Sequence, residues 1–199
     1  MNKLVTLIII LTITTVYALT LTGCSGDAQT PVSMVVVVGR HANQNEFTSK
    51  TFEVVKPLIS RAVYGGDISV IIADGAPRYV DITTSDGVPV QFEQDANNSI
   101  IKDRRIDEYT GIVVDFLQSD ATRARNSEVD LLGAIKEAAR MLQDVQTDEK
   151  YMLIMDTGIS TTGRVDFTQF SLNDIDPAEF ANMLSEIDGI LPDLSDINI

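Results

Sequence analysis

The chain has 199 residues, and its 29 Asp and Glu side chains outnumber 15 Lys and Arg, giving a net charge of −14 with its one His neutral. A surface this acidic repels phosphate groups, which argues against nucleic-acid binding. The length suits one domain of ordinary size behind a targeting segment.

The first 23 residues have the pattern of a secretory signal. Lys3 supplies a positive start, Leu4–Thr22 is almost wholly apolar or Thr, and the segment ends in Leu21-Thr22-Gly23-Cys24. A small residue before the cut is what a signal peptidase requires. Cys24 is the only cysteine, so it has no disulfide partner within the chain. An uncleaved transmembrane anchor is the alternative, because an apolar stretch of this length is close to what spans a bilayer.

The Leu-Thr-Gly-Cys ending resembles the bacterial lipobox, in which the cysteine is lipidated and becomes the new N-terminus. The resemblance implies a lipoprotein anchored to the bacterial cell membrane through acyl chains such as palmitate on Cys24, facing outside the cytoplasm. Residues 1–23 are then the signal peptide, residues 24–31 a small polar tether, and residues 32–199 the folded domain. Loss of Lys3 leaves 14 basic and 29 acidic side chains, a net charge of −15.

Three short apolar runs predict strands that are buried on both faces, as in a parallel α/β sheet. The runs are Val32–Gly39, Ile68–Ala73 and Tyr151–Met155. The last of them is predicted to be the central strand of the domain. Tyr79–Thr84 is predicted to return as an antiparallel partner at the sheet edge, because Pro77 and Pro89 flank it.

Four helices are predicted from apolar residues that recur with the helical period. They are a helix over 47–63 that Pro57 should kink or restart, one over 95–120 capped within Asn97–Ser99, one after a Ser127 cap that extends to Leu142, and one opened by Asp176-Pro177. Ile197–Ile199 resembles the first residues of another strand, so a domain truncated at its C-terminus is one expectation. The predicted architecture is a three-layer α/β fold with a mostly parallel sheet and one antiparallel edge hairpin.

The order of these elements resembles the von Willebrand factor type A fold. Two segments carry the resemblance. SEVDLLGAIKEAARML is similar to the family's Thr-Asp motif followed by Leu and an alanine-rich helix, and YMLIMDTG is similar to its apolar strand ending in Thr-Asp-Gly. The resemblance covers residues 33–199. It implies a ligand-binding rim at the carboxyl ends of the strands, where open α/β sheets place their ligands.

In that family the rim binds Mg²⁺ through an Asp-x-Ser-x-Ser motif after the first strand, a Thr before the alanine-rich helix and the Asp after the later strand; such oxygen ligands suit this ion. Here the first loop reads Gly39-Arg40-His41-Ala42-Asn43, and Val129 replaces the Thr. Only Asp156 keeps its place, with Asp130 as a second acid behind it. Because Arg40 also adds positive charge, the expectation is a degenerate domain without a cofactor, Mg²⁺ at Asp156 being the less favoured alternative.

The sequence leaves three functions to be distinguished. The preferred hypothesis is a non-enzymatic module that binds an envelope protein or other envelope component through a rim of Asn43, Asp130 and Asp156. The second is a solute-binding lipoprotein of a transporter, which predicts two lobes and a longer chain. The third is a hydrolase using Asp156, because Asp156–Ile159 also resembles a subtilisin-like protease motif. That catalytic triad requires a downstream His, whereas His41 lies upstream.

Overall fold

A computed structural model of the chain describes residues 31–39, 49–63, 65–92, 99–123, 128–156, 161, 166, 176–187, 189 and 191–199. The predicted signal peptide, Cys24 and Asn43 lie outside these residues. In the part of the chain that is described, no helix has the length and apolar character that crossing a membrane requires.

The four strands are β1 (Val32–Gly39), β2 (Asp67–Ala73), β3 (Arg78–Val80) and β4 (Glu149–Met155). They form one sheet in the order β3-β2-β1-β4, in which β1 pairs in parallel with both β2 and β4, and β3 pairs antiparallel to β2. The α/β class, the mostly parallel sheet and the antiparallel strand at its edge are therefore confirmed.

The four helices are α1 (Ser49–Val63), α2 (Ser99–Gln118), α3 (Leu131–Asp144) and α4 (Pro177–Glu186), and a short 3-10 helix, Asp120–Thr122, follows α2. Helices α1 and α2 pack on one face of the sheet, where the even-numbered residues of β1 point. Helix α3 packs on the other face, against the odd-numbered residues. All eight residues of β1 are buried, because this strand has a neighbour on each side and helices over both faces.

The position predicted for β4 is wrong. Strand β1, and not β4, lies in the middle, so β4 forms the outer strand of the described sheet and only Met152 and Met155 of it are buried. Its outer edge meets Asn198, whose backbone NH donates to the Lys150 carbonyl at 2.9 Å and whose carbonyl accepts from the Met152 NH at 2.8 Å. The strand expected at Ile197–Ile199 is thus an isolated parallel bridge.

Several predicted boundaries also differ from the structure. Helix α3 begins at Leu131 and its cap is Asp130, three residues after the predicted cap, Ser127. Pro57 lies inside α1 without ending it. Strand β3 is shorter than predicted, because Thr83 leaves it to form a separate bridge with Pro89. Helix α4 is capped by Asp176, as predicted, through bonds from the Ala178 and Glu179 amides.

Candidate functional site

The carboxyl ends of β1, β2 and β4 lie at one edge of the sheet. Gly39 of β1 is level with Ala73 of β2, and Val38 is level with Met155 of β4. Strand β2 pairs with one edge of β1 and β4 pairs with the other edge, so the strand order reverses at β1. A crevice outside the strand ends at such a reversal of strand order is where open α/β sheets bind ligands.

Asp156 lies at this edge, directly after β4. Its side chain is half-buried, and its Oδ2 atom is shielded from solvent. The carboxylate occupies the space that a side chain at Gly39 would fill, since a Cβ built on Gly39 would overlap with Oδ2 and the carboxyl carbon. The glycine that ends β1 therefore creates the position that Asp156 occupies. The sequence analysis noted this glycine only as the start of a loop.

Asp130 lies at the same edge, between β2 and α3. Its backbone NH donates to the Asp74 carbonyl at 3.1 Å, which holds it beside the end of β2. Its Oδ1 accepts a hydrogen bond from the Gly133 NH at 2.9 Å and so caps α3. Gly133 leaves room for this carboxylate, because a Cβ there would collide with Asp130 Oδ2. Asp130 thus also stabilises the start of α3.

The segment before α3 is bonded to the segment that follows Asp156. The Val129 NH donates to Thr161 Oγ1 at 2.9 Å, and the Thr161 NH donates to the Val129 carbonyl at 2.8 Å. These two bonds join the segments carrying Asp130 and Asp156 along one edge. Asn43, the third residue predicted for this rim, lies outside the described residues.

Asp74, which directly follows β2, is a buried acid beneath this edge that the sequence analysis did not identify. It is 3% exposed, and Arg78 Nε lies 3.0 Å from its Oδ2. Arg78 Nη2 also donates to the Arg123 carbonyl at 3.3 Å. The charge-assisted bond offsets the cost of burying the carboxylate. An arginine four residues after the acid was the available sequence signal.

A groove of about 390 Å³ opens beside Asp130, between α3 and the β2–β3 edge of the sheet. Three cationic side chains line it in a protein that is acidic overall: Arg78, Lys136 and Arg140. Lys136 Nζ donates to the Gly189 carbonyl at 2.7 Å, and Arg140 Nε lies 3.0 Å from Glu137 Oε2. Tyr79, 55% exposed, supplies an aromatic surface at the groove.

The rim offers charges and hydrogen-bonding groups at an open edge. Within the described ranges, no group of three or more His, Cys, Asp or Glu side chains is arranged to hold a metal ion. The predicted loop Arg40–Asn43, which bears on the Mg²⁺ alternative, lies outside those ranges.

No protein-family model matches the chain, and no curated protein sequence matches it. Among solved structures, it is similar to the PilB minor pilin from Streptococcus sanguinis, at 8% identity over 77% of this chain and 36% of that chain, with a TM-score of 0.41. It is also similar to the three N-terminal domains of the type V pili tip protein Mfa5 from Porphyromonas gingivalis, at 12% identity over 63% of this chain and 19% of that chain, with a TM-score of 0.32. This chain spans 36% or less of the length of either structure, and likenesses this distant assign no family.

Proposed function

We propose that this protein is a lipid-anchored, non-enzymatic module that binds another protein of the bacterial envelope. The binding surface is the strand-end rim, which we define as Glu128–Asp130, Asp156 and Asn43. The observation that carries the proposal is the position of the Asp156 carboxylate against Gly39, at the carboxyl ends of β1 and β4. Open α/β sheets bind their ligands outside the carboxyl ends of their strands, and Asp156 lies at these ends.

The fold family we propose is von Willebrand factor A-like. Two features that suggested the resemblance support it. An antiparallel hairpin, β2–β3, follows the first strand-helix unit, and β4 follows the amphipathic helix α3 and leads directly into Asp156. The proposed partner is a protein and not a metal, since only Asp156 of the family's ligand set is in its place.

The charges next to the rim favour a partner with a mixed polar surface. Asp156 offers a carboxylate, whereas the adjoining groove carries Arg78, Lys136 and Arg140. Complementary charges of both signs fix the orientation of a protein partner and exclude wrong ones. We therefore expect the partner to present acidic side chains to the groove and hydrogen-bond donors to Asp156.

The proposed anchor is the lipid on Cys24. The eight residues of the tether, 24–31, span at most about 28 Å when fully extended, which keeps the domain near the membrane surface. We expect Cys24→Ala to abolish metabolic labelling with a palmitate analogue and to move the protein out of the lipid-anchored membrane fraction. Label that persists in the Cys24→Ala variant would refute the anchor.

The rim is tested by crosslinking in intact cells, with two matched variants that bracket β4. Asp156→Asn keeps the shape of the side chain at the rim and removes its charge, and Asp148→Asn makes the same change at the opposite end of the strand, where the side chain is exposed. We expect Asp156→Asn to weaken capture of the envelope partner and Asp148→Asn to leave it unchanged. Equal capture by both variants would show that Asp156 does not contribute to the interface.

A further inference from the structure

A second candidate site lies at the amino ends of the strands, opposite the strand-end rim. It is a cavity of about 200 Å³ between the sheet and the end of α3. Its polar lining comes from Ser33, Ser69, Asp67 and Asp144, and its apolar wall includes Met141 and Val145. We call it the amino-end cavity.

The two serines are unusual for their position. Ser33 and Ser69 are 2% and 6% exposed and lie on the face of the sheet that packs against α3. Elsewhere on that face the same two strands carry Val35, Val37 and Ile71, which form the core under α3. Packing therefore accounts for apolar residues at these positions and gives no reason for two hydroxyl groups.

The hydroxyl group of Ser33 is the evidence that a molecule binds in the cavity. Its Oγ atom is buried and has no hydrogen-bond partner among the described residues. Leaving a buried hydroxyl unsatisfied costs free energy, so such groups are normally bonded to protein or to ordered water. A group that enters the amino-end cavity can supply the missing bond, since Ser33 lines it.

The charge at the cavity decides what kind of group this is. Asp67 and Asp144 are exposed carboxylates that line it. Arg140 Nη1 lies 3.6 Å from Asp144 Oδ2, but both side chains are largely exposed, at 63% and 75%. An ion pair of this kind is weak and exchanges readily for another cation. The cavity thus combines hydroxyl and carboxylate oxygens with an apolar wall.

We propose that the amino-end cavity binds a primary ammonium group carried on an aliphatic stem. An ammonium group has three donors and no acceptor, which matches hydroxyl and carboxylate oxygens, and its methylene stem can pack along Met141 and Val145. A volume of this size has room for about six groups of the size of water, enough for a four-carbon stem and its nitrogen. The source is a lysine side chain or a free small amine.

This inference goes beyond the proposed function and is independent of it. The rim lies at the carboxyl ends of the strands, whereas Ser33 and Asp67 lie near the amino ends of β1 and β2. Ser33→Ala is therefore expected to leave crosslinking at the rim unchanged. Asp144→Asn is not used for this comparison, because Asp144 is paired with Arg140, which lines the groove beside the rim.

The test is calorimetric titration of the full chain in detergent micelles with n-butylammonium, with n-butanol as the uncharged probe. We expect saturable binding of n-butylammonium and none of n-butanol. Ser33→Ala and Asp144→Asn should each weaken the binding by about tenfold or more, since each removes a group that accepts from a charged donor.

Two control variants make the same chemical changes away from the cavity. Thr110→Val removes the other buried hydroxyl without a partner in the described residues, which lies on α2 in the opposite helix layer, and Asp103→Asn removes an exposed charge from the same helix. Both should bind n-butylammonium like the wild type. If the control variants weaken binding as much as Ser33→Ala and Asp144→Asn do, the probe is attracted only by the net charge, and the proposal is overturned.

Further titrations distinguish the sources of the amine and exclude a metal. Binding of Nα-acetyl-lysine amide as tightly as n-butylammonium identifies a lysine side chain as the source, and binding of n-butylammonium and cadaverine without the lysine derivative identifies a free amine. Either result supports the ammonium site. Three results would overturn it. One is displacement of n-butylammonium by calcium that Ser33→Ala and Asp144→Asn each weaken. The others are binding of n-butanol as tight as that of n-butylammonium, and no binding of n-butylammonium at millimolar concentration.

Discussion

At the scale of single residues, glycines determine where two acidic groups lie. Gly39 leaves the space that the Asp156 carboxylate fills. Gly133 leaves the space for the carboxylate of Asp130, which caps α3. In both places the missing side chain is as important as the acid. The two glycines therefore support the strand-end rim from beneath, although they present no functional group to a ligand.

Replacing Gly39 by Ala should destabilise the domain, because the new methyl group and the Asp156 carboxylate cannot share one space. We expect a loss of about 1–3 kcal/mol in the free energy of unfolding, the cost of overpacking a well-packed region. Denaturant melts measure it. Adding Asp156→Gly to the Gly39→Ala variant should recover part of the loss.

Gly111→Ala is the matched control for this experiment. Gly111 is exposed within α2, and nothing lies within 4 Å of the Cβ it would gain. The substitution should stabilise the domain by about 0.5–1 kcal/mol, because alanine favours the helix over glycine. If Gly39→Ala were as stable as the wild type, Asp156 would not be seated against Gly39.

At the scale of elements, one polar cluster ties α1 to the outer strand of the sheet. Arg61, in the last turn of α1, places Nη2 2.7 Å from Oε1 of Glu149, the first residue of β4. The Tyr151 hydroxyl donates to Glu149 Oε2 at 2.9 Å. Hydrogen bonds from Arg61 first, and then from Tyr151, hold the pKa of Glu149 below its ordinary value of 4.5.

This cluster predicts a specific pH dependence of stability. A carboxyl group whose pKa is lowered by folding stabilises the native state fully above its unfolded pKa, and the stabilisation is lost as the pH falls through the folded pKa. Wild type should therefore melt above Glu149→Gln at pH values higher than 4.5, and the difference should vanish as the pH is lowered below that value. Arg61→Gln should show the same convergence; a difference that persists in strong acid would refute the linkage.

The strands β1 and β2 were predictable because their residues are buried on both faces and the sequence shows this as unbroken apolar runs. The place of β4 was not predictable, since an apolar run of five residues does not report how many neighbours the strand has. Asp130 and Asp156 were predictable as residues near strand and helix ends. The seat at Gly39 and the Asp74–Arg78 pair were not, because both depend on contacts that only the folded sheet creates.

At the scale of the whole molecule, the acidic surface affects how stability responds to salt. Charge repulsion across a protein with a net charge of −14 is relieved by any salt, so a small rise in melting temperature with ionic strength is not a sign of a specific site. A bound ion behaves differently, because its stabilisation grows with the logarithm of its concentration relative to its dissociation constant.

We expect the melting temperature in millimolar Mg²⁺ to equal that in NaCl of the same ionic strength. A metal at 100 times its dissociation constant would add about 2.7 kcal/mol and raise the melting temperature by several degrees. The same pair of melts with Asp156→Asn completes the test. A rise specific to Mg²⁺ that Asp156→Asn abolishes would replace the proposed protein-binding rim by a metal site.

The most direct test of whether the strand-end rim binds an envelope protein uses a photo-crosslinking amino acid at each end of α3, in living cells of the organism that makes the protein. Glu128 precedes α3 at the strand-end rim and Gln146 follows it at the opposite end, and both side chains are exposed. The proposed function predicts a discrete crosslinked envelope protein from position 128 that Asp156→Asn diminishes, and predicts that this protein is not crosslinked from position 146. The same product from both positions, or a product from position 146 alone, would contradict it.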